Sequence, residues 1–409
     1  MIERTGMMKI LYISHSPSLK TGFGMVSRHI CQGFHARGAE IVCLGSGQTE
    51  EGFDPSPFPF KIRPVPREDY TGWTLFPSML RDEKPDLIFL NFELMACAEW
   101  INIILRETRR VPILLYYSIE GFPIYKPWHV PIKLADAAVT YTRFGSEKTK
   151  VAVGREVPHL YHGVDRQTFF PLPEEQREAI KEKLGWSGRF VVTFVGVNRL
   201  SKQQPKLIEA ISLLRQQGME DIYCYLHCHP FEKHRYGGWN LAEIANVRGV
   251  ADRIIFRDGS AADFLARQKS KEKIAEPPPS ASLMERYNAT DLYLHPSKVE
   301  GFGLPLIEAM ACGIPLAHTD DGSVMNEICG EVGHRIPVAD HDYATFGAKY
   351  FILSAEKIAE TILYFRRALV KKESLRYWRE AGPERAKAFD WDRTSDGFME
   401  IARKLLQGK

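Results

Sequence analysis

Two glutamates and two glycines lie close together in the segment SKVEGFGLPLIEAMACGIPLA, residues 297–317. A proline two residues after the second glycine predicts a loop that enters a helix. Gly301 and Gly303 carry no side chains at this junction, so the backbone N–H groups and the helix dipole are available to an anion such as a diphosphate. Glu300 lies in the loop and Glu308 in the early helix, where both can face one site.

The same segment also fits a plain loop–helix junction, in which the glycines serve packing and both glutamates are exposed. Taken as a generic pattern, a lone glycine pair favours this plain junction. Two carboxylates beside a phosphate site would repel the phosphate. Such carboxylates are useful only if they bind neutral hydroxyl groups of the same ligand. A nucleotide sugar offers such hydroxyls on its ribose and on its hexose.

The stretch EGFGLPLIEAMACGIP, residues 300–315, resembles the signature of glycosyltransferase family 4 and its retaining GT-B relatives, with Glu300 and Glu308 in the E-x7-E arrangement. The resemblance extends over most of the chain, apart from residues 51–69 and 266–282, which we interpret as a long loop and as a charged helix that ends at a triple proline. The further segments that resemble the family are TGFG at 21–24, HGVDRQTFFPL at 162–172, FVGVNRLSKQQPKLIEAI at 194–211 and FDWDRT at 389–394.

This resemblance implies a retaining transferase in which Glu308 binds the ribose of the donor and Glu300 binds the transferred sugar. Arg199 and Lys202 would neutralise the departing diphosphate, where negative charge grows during the reaction. The residues that the resemblance assigns to donor binding are Gly22, Gly24, Arg199, Lys202, Phe302, Gly303, Leu304 and Glu308, with Phe302 and Gly303 acting through their backbone amides.

Two positions depart from the family's pattern. Arg199 and Lys202 are closer together than in most members, so Lys206 is an alternative to Lys202. Many members carry a histidine after the fourth strand of the first domain, where this chain reads YYSIEGFP. Some relatives have an acidic residue there, and we therefore carry Glu120 over as a catalytic residue, with Ser118 near the same position.

Strand and helix patterns alternate along the chain, beginning at 9–14 and restarting at 189–196. Continuously apolar strands separated by helices indicate parallel sheets that are covered on both faces. We expect an α/β protein of the GT-B type, with two Rossmann-like domains facing each other across a cleft. The expected parts are an acceptor-side domain at 1–170, a nucleotide-sugar-binding domain at 171–388 and a C-terminal crossover helix at 389–409.

The composition is that of a globular protein, with 409 residues, 44% hydrophobic residues and a formal net charge of +3. A charge so near neutral argues against a nucleic-acid binder. Basic residues form no cluster, so we expect at most weak peripheral membrane contact. The first ten residues lack the apolar core of a signal peptide and the seven cysteines are scattered, so we expect a cytoplasmic protein.

Two cysteines and two histidines in YCYLHCHP, residues 223–230, suggest a metal site. In a strand, however, the cysteines lie on one face and the histidines on the other. We therefore predict buried strand residues there. No Asp-x-Asp motif stands at the expected donor loop, so we expect no cofactor and no essential metal, with the nucleoside-diphosphate sugar as donor substrate.

The reaction that the resemblance implies is transfer of a sugar, of hexosyl type, to a glycan, a lipid, a protein or a small molecule. Rivals with the same fold are a nucleotide-sugar epimerase and a glycan phosphorylase. A rival from another class is a non-catalytic GT-B scaffold or partner subunit that binds a nucleotide sugar. A scaffold need not retain Glu300, Glu308, Arg199 and Lys202, and their presence argues against it.

Overall fold

The computed structural model describes residues 7–231, 237–270, 281–368 and 372–407, and the chain divides into two compact units. Unit 1 comprises Met1–Gly163, Thr345–Ala348 and Asp390–Lys409, and unit 2 comprises Val164–Ala344 and Lys349–Phe389. In the described part of the chain, no helix is both long and apolar enough to cross a membrane.

Unit 1 is built on a parallel sheet. Its strands are Lys9–His15 (β1), Glu40–Ser46 (β2), Lys61–Pro64 (β3), Leu87–Asn91 (β4), Ile113–Tyr117 (β5) and Ala137–Thr140 (β6). Its first helices are Gly22–Ala36 (α1), Phe76–Glu83 (α2), Leu94–Glu107 (α3), His129–Leu134 (α4) and Arg143–Val153 (α5). The strands lie in the order β3-β2-β1-β4-β5-β6, and every residue of β4 and β5 is buried. Burial on both faces explains why these strands are continuously apolar.

The segment 51–69 is not the uninterrupted loop that the sequence indicated, since β3 lies within it. The strand pairs with β2 from Lys61 to Pro64 and forms the edge of the sheet. Proline lacks the N–H that a central strand must donate, but an edge strand tolerates it. Because the many prolines around β3 are typical of loops, the local sequence pattern does not predict this strand.

Unit 2 repeats the same plan. Its strands are Phe190–Val195 (β7), Ile222–His227 (β8), Ile254–Phe256 (β9), Gly259–Ser260 (β10), Leu292–His295 (β11), Leu316–Thr319 (β12), His334–Ile336 (β13), Asp340–Tyr343 (β14) and Lys349–Ile352 (β15). Its helices are Glu174–Lys183 (α6), Gln204–Gln216 (α7), Leu241–Val247 (α8), Ala261–Ser270 (α9), Leu283–Asn288 (α10), Leu304–Ala311 (α11), Val324–Cys329 (α12), Ala355–Ala368 (α13) and Lys372–Ala386 (α14). The last helix, Trp391–Gln407 (α15), belongs to unit 1.

The main sheet of unit 2 has the order β10-β9-β8-β7-β11-β12-β13, in which only β10 is antiparallel to its neighbour among the described strands. The strand β7 lies at the centre, between β8 and β11. The chain thus builds the sheet outward from β7 in one direction and then in the other. In such sheets, ligands bind beyond the carboxyl ends of the strands at the point where the order reverses.

The helix α15 packs in unit 1. The side chain of Phe398 contacts Phe89 of β4 and Tyr116 of β5, with ring centroids 4.9 and 4.7 Å apart. Directly after α1, the guanidinium of Arg37 binds the carboxylates of Asp392 and Asp396. Apolar and ionic contacts together dock the C-terminal helix on the N-terminal sheet.

The remaining sequence-based interpretations concern two short segments. The charged helix of 266–282 begins earlier, at Ala261, and the triple proline at 277–279 lies outside the described residues. In the Cys/His-rich stretch, Cys224 is buried in β8 and the hydroxyl of Tyr225 lies 2.6 Å from Nδ1 of His227. Within the described ranges, no group of three or more His, Cys, Asp or Glu side chains is placed to hold a metal ion.

Candidate functional site

Two loops meet at the carboxyl edge of the unit 2 sheet. One follows β7 and covers 196–203, and the other follows β11 and covers 296–303. The two strands are neighbours, with Val192 paired to Leu292 and Thr193 to Tyr293. The backbone N–H of Lys298 donates to the carbonyl of Ser201 at 2.8 Å, so the loops are joined directly.

This junction brings Lys202 and Glu300 together, although they are 98 residues apart in the chain. The ammonium of Lys202 donates to Oε1 of Glu300 and forms an ion pair with it. The same carboxylate oxygen lies 2.7 Å from Nε2 of His295, at the end of β11. Glu300 is therefore held by a cation from one loop and by an imidazole from the adjacent strand.

Glu300 is 9% exposed, which makes it a buried carboxylate and not the exposed glutamate of a plain loop. Burial by itself would raise its pKa, because the charged form loses its hydration. The charge of Lys202 and the hydrogen bond with His295 outweigh burial and hold the pKa of the Glu300 carboxyl well below its usual range. The side chain is thus an ionised acceptor.

Gly303 sets the angle at which this loop enters α11. Its φ is +90°, in the left-handed region where side chains are strained. A Cβ atom built there would lie 2.8 Å from Cδ1 of Leu306. No side chain of the described residues caps this helix, and Leu304 and Pro305 form its first turn. Glycine is required here by backbone conformation and by packing.

Glu308 lies in α11 and is 6% exposed. Its Oε2 accepts a hydrogen bond of 2.8 Å from the hydroxyl of Tyr287, which is fully buried in α10. Burial raises the pKa of Glu308 to about 7, and the bond from Tyr287 offsets only part of that effect. Both glutamates of the E-x7-E pattern are therefore buried, and their environments differ.

Gln203 fixes the loop that carries Lys202. It has a φ of +52° and is 4% exposed. Its side-chain amide donates to the carbonyls of Pro296 and Phe351 at 2.6 and 3.0 Å and accepts from the N–H of Leu353 at 3.1 Å. One buried amide thus ties the Lys202 loop to the Glu300 loop and to the strand β15.

The other basic residues are placed differently. Arg199 is half-buried and immediately precedes the 3₁₀ turn Leu200–Lys202, which carries Lys202. Lys206 lies in the first turn of α7, and its ammonium binds Oε2 of Glu209 at 2.9 Å. Of the two lysines considered for the diphosphate, Lys202 is the one in contact with Glu300. Phe302 is buried, and its ring packs edge-on against Phe389 with centroids 5.9 Å apart.

The remaining predicted residues lie in unit 1. Gly24 is in the first turn of α1, where its N–H donates to Oγ1 of Thr21 at 3.0 Å. A Cβ at Gly24 would lie 2.3 Å from the carbonyl oxygen of Leu19, so packing explains this glycine. Gly22 is exposed at the start of the same helix, and Glu120 is half-buried in the segment after β5. Their roles in donor binding and catalysis stay predictions.

Four residues that support this site were not predicted. Tyr287 and His295 contact the two glutamates, Gln203 holds the Lys202 loop, and Tyr293 contacts His295. The sequence contains a sign of two of these residues. Tyr293 and His295 are two residues apart in a strand, so their side chains lie on the same face of the sheet. Tyr287 carries no comparable signal, since its contact depends on how α10 packs beside α11.

Sequence comparisons relate part of the chain to known glycosyltransferases. Residues 274–363 match the model of the family described as Glycosyl transferases group 1. The chain is 27% identical over 267 residues to the D-inositol 3-phosphate glycosyltransferase of Salinispora arenicola, covering 63% of this chain and 50% of that protein. It is 28% identical over 252 residues to the lipopolysaccharide core biosynthesis mannosyltransferase LpcC of Rhizobium leguminosarum, covering 60% and 62%. The matches thus span less than two thirds of these relatives' own length.

Solved structures resemble the whole chain. A glycosyltransferase from Rickettsia africae has a TM-score of 0.71 at 15% identity, covering 99% of this chain and 100% of that one. Anabaena HepE in complex with UDP and glucose has a TM-score of 0.68 at 16% identity, covering 97% and 100%. At 15% and 16% identity, similarity to these structures shows only a shared fold. Membership of glycosyltransferase family 4 stays a prediction. The two Rossmann-like units and the likeness to these solved structures show the GT-B fold, and residues 274–363 are similar to the glycosyl transferases group 1.

Proposed function

We propose that this protein is a retaining glycosyltransferase that moves a hexosyl group from a nucleoside-diphosphate sugar to an acceptor, without a metal ion or other cofactor. The observation that carries the proposal is the buried contact between Lys202 and Glu300 at the point where the strand order of unit 2 reverses. Ligands of parallel α/β sheets bind at such points. The contact also lies beside the segment that matches the glycosyltransferase family.

The chemistry of the two side chains fits this reaction. An ammonium group has three donors, so Lys202 can keep its bond to Glu300 and still bind a diphosphate oxygen. Positive charge at the leaving group stabilises the negative charge that develops as the glycosidic bond breaks. Glu300 is an ionised acceptor, suited to sugar hydroxyls and to a ring that gains positive charge. Glu308 would accept from the ribose hydroxyls.

Two similarities support the nature of the donor. HepE, which shares the fold, was solved with UDP and with UDP-glucose. The sequence relatives include a mannosyltransferase that its name describes as GDP-mannose-dependent. A nucleoside-diphosphate hexose is therefore the donor class that we propose. In the same proposal, the acceptor side lies in unit 1, with Glu120 as a predicted catalytic residue.

Incubation of the protein with a panel of UDP-, GDP- and ADP-hexoses tests the proposal. We expect slow release of nucleoside diphosphate from one donor, and a sugar product whose anomeric configuration, read from its proton coupling constants, matches that of the donor. Lys202→Ala should abolish most of this release. An inverted product would contradict retention, and an isomerised nucleotide sugar would indicate an epimerase. Donor binding by thermal shift without turnover would favour the scaffold.

A further inference from the structure

His295 is 1% exposed and lies between two polar side chains. Its Nε2 is 2.7 Å from Oε1 of Glu300, and its Nδ1 is 2.8 Å from the hydroxyl of Tyr293. We propose that His295 is a positioning residue for the transfer reaction, which holds the Glu300 carboxylate in its working orientation while Tyr293 selects the imidazole tautomer. The inference rests on the proposed function of Glu300.

The protons in this chain of contacts can be assigned from the acceptor at its end. An ionised carboxylate only accepts hydrogen bonds, so Nε2 of His295 must carry the proton and donate it to Glu300. In a neutral ring, Nδ1 is then an acceptor and requires a donor. The hydroxyl of Tyr293 supplies one, and its oxygen is also buried. Oγ of Ser297, 3.0 Å from Nε2, is a second acceptor for the same N–H.

The neutral ring agrees with its surroundings. Burial lowers the pKa of His295, and the neighbouring Glu300 offsets part of that effect. The titratable groups that act on His295 or face it are Glu300, Lys202, Tyr293, Asp321 and His318. A satisfied buried network of this kind restricts its members to one arrangement.

Lys202 and His295 contribute differently to Glu300. A lysine ammonium is a point charge on a flexible stem, so it attracts the carboxylate without fixing its direction. An imidazole has two side-chain torsions, and here it is enclosed at the end of β11 with its other nitrogen bound. His295 therefore mainly determines the direction of the carboxylate oxygens of Glu300. Lys202 instead reduces the free-energy cost of burying the negative charge of Glu300.

This division predicts a kinetic signature. Glu300 is assigned to a sugar whose charge changes during the reaction, so a misdirected carboxylate loses its contact mainly in the transition state. Removal of the imidazole should lower kcat and leave the donor KM almost unchanged. A general loss of packing would instead reduce stability without acting through Glu300.

His318 provides a matched control. It lies in β12, directly paired with His295 across the sheet, and is 0% exposed. Its Nδ1 donates to the carbonyl of Thr319 at 2.8 Å, and not to Glu300. The two histidines thus share burial, strand position and residue type but differ in the contact under test.

The experiment compares kcat and donor KM for His295→Leu, His295→Gln and His318→Leu, each checked by its melting temperature. Loss of a hydrogen bond to a charged group predicts a decrease in kcat of about ten- to a hundredfold for His295→Leu. His295→Gln should recover part of it, because its amide can donate to Glu300. His318→Leu should leave kcat almost unchanged. In a Glu300→Gln background, His295→Leu should have little further effect, since the two residues act as one unit.

Tyr293→Phe keeps the ring and removes only the donor to Nδ1, so it serves if His295→Leu does not fold. We expect a decrease in kcat of about two- to tenfold for this loss of a neutral hydrogen bond. The ¹⁵N spectrum of histidine-labelled protein should show a neutral His295 protonated at Nε2. A ring protonated at Nδ1 alone would overturn the inference without any reference to activity.

Two outcomes separate this inference from the proposed function. If the wild type transfers sugar but the two leucine variants lose kcat equally, His295 serves packing, and the inference alone is overturned. If the folded wild type releases no nucleoside diphosphate from any donor, the proposed function fails and the inference fails with it.

Discussion

The hydroxyl of Tyr287 donates a hydrogen bond of 2.8 Å to Oε2 of Glu308, where both side chains are closed off from solvent. Burial and Tyr287 are the causes that act on the pKa of this carboxyl among the described residues, whereas Glu300 binds the ammonium of Lys202. Burial therefore raises the pKa of Glu308 to about 7, while the pKa of Glu300 is lowered despite burial. Two glutamates eight residues apart in sequence thus differ in protonation near neutral pH.

The first prediction concerns stability and pH. A carboxyl whose pKa is raised by folding binds more protons in the folded state, so its contribution to stability is lost as pH rises from about 4.5 to about 7. Each unit of pKa difference corresponds to about 1.4 kcal/mol. Glu308→Gln keeps an acceptor for Tyr287 and carries no charge. We expect this variant to be more stable than the wild type at pH 8, by chemical unfolding, and nearly equal to it at pH 4.5.

Glu300→Gln serves as the control for that measurement. The pKa of Glu300 is lowered by folding, so its contribution has the opposite sign and is lost on acidification. If the free energies of unfolding of Glu308→Gln and of the wild type change in parallel between pH 4.5 and 8, the raised pKa is contradicted.

The second prediction separates the two glutamates in catalysis. Ribose does not change during the reaction, so a bond from it to Glu308 is equally strong in the ground and transition states and acts on KM alone. Glu308→Gln should raise the donor KM by about ten- to a hundredfold, whereas Glu300→Gln should lower kcat by a similar factor. Steady-state kinetics with the natural donor measures both. If Glu308→Gln lowers kcat and Glu300→Gln raises the donor KM, the two assignments are reversed. If neither variant changes kcat or KM, the sugar is transferred at another site.

The third prediction adds pH to donor binding. Ribose hydroxyls donate to a carboxylate, so binding should favour the ionised form of Glu308. We expect the donor KM to fall as pH rises through about 7, and this dependence to be absent from Glu308→Gln. Initial rates measured at several donor concentrations between pH 6 and 8 give this KM and provide the test. An equal pH dependence in the variant would assign the titration to another group.

The fourth prediction concerns the leaving group. Lys202→Ala removes the charge beside Glu300 and should lower kcat more than it raises the donor KM. Lys206 is the matched control, since its ammonium binds Glu209 on the same helix. Lys206→Ala should be nearly as active as the wild type. If Lys202→Ala is as active as the wild type and Lys206→Ala is inactive, Lys206 and not Lys202 has the role that the family resemblance assigns to the lysine.

The fifth prediction concerns metal ions. If Lys202, Arg199 and the first turn of α11 stabilise the diphosphate, excess EDTA should leave the rate of transfer almost unchanged. The rate is measured before and after chelation, and again with added Mg²⁺ or Mn²⁺. Loss of most activity on chelation and its recovery with either ion would refute this account.

Local sequence pattern predicts the repeated α/β plan, which the structure confirms, and it points to 300–308 as the candidate site. Buried parallel strands are continuously apolar, and this pattern is visible in β4, β5 and β7 without their neighbours. The glycines and glutamates of 300–308 also stand out, because backbone conformation at Gly303 and polar groups in an apolar segment leave a local signal. The edge strand β3 left no such signal, since its prolines are typical of loops.

Residue types and spacing therefore identify the candidate residues, whereas the packing of the strands and loops brings some of them into contact. Strand order places β7 beside β11 and so joins Lys202 to Glu300 across 98 residues, a relation that no local pattern contains. The same holds for protonation. A carboxyl pKa depends on burial and on nearby charge. Burial raises the pKa of both glutamates, but Lys202 and His295 lie beside Glu300 and lower its pKa.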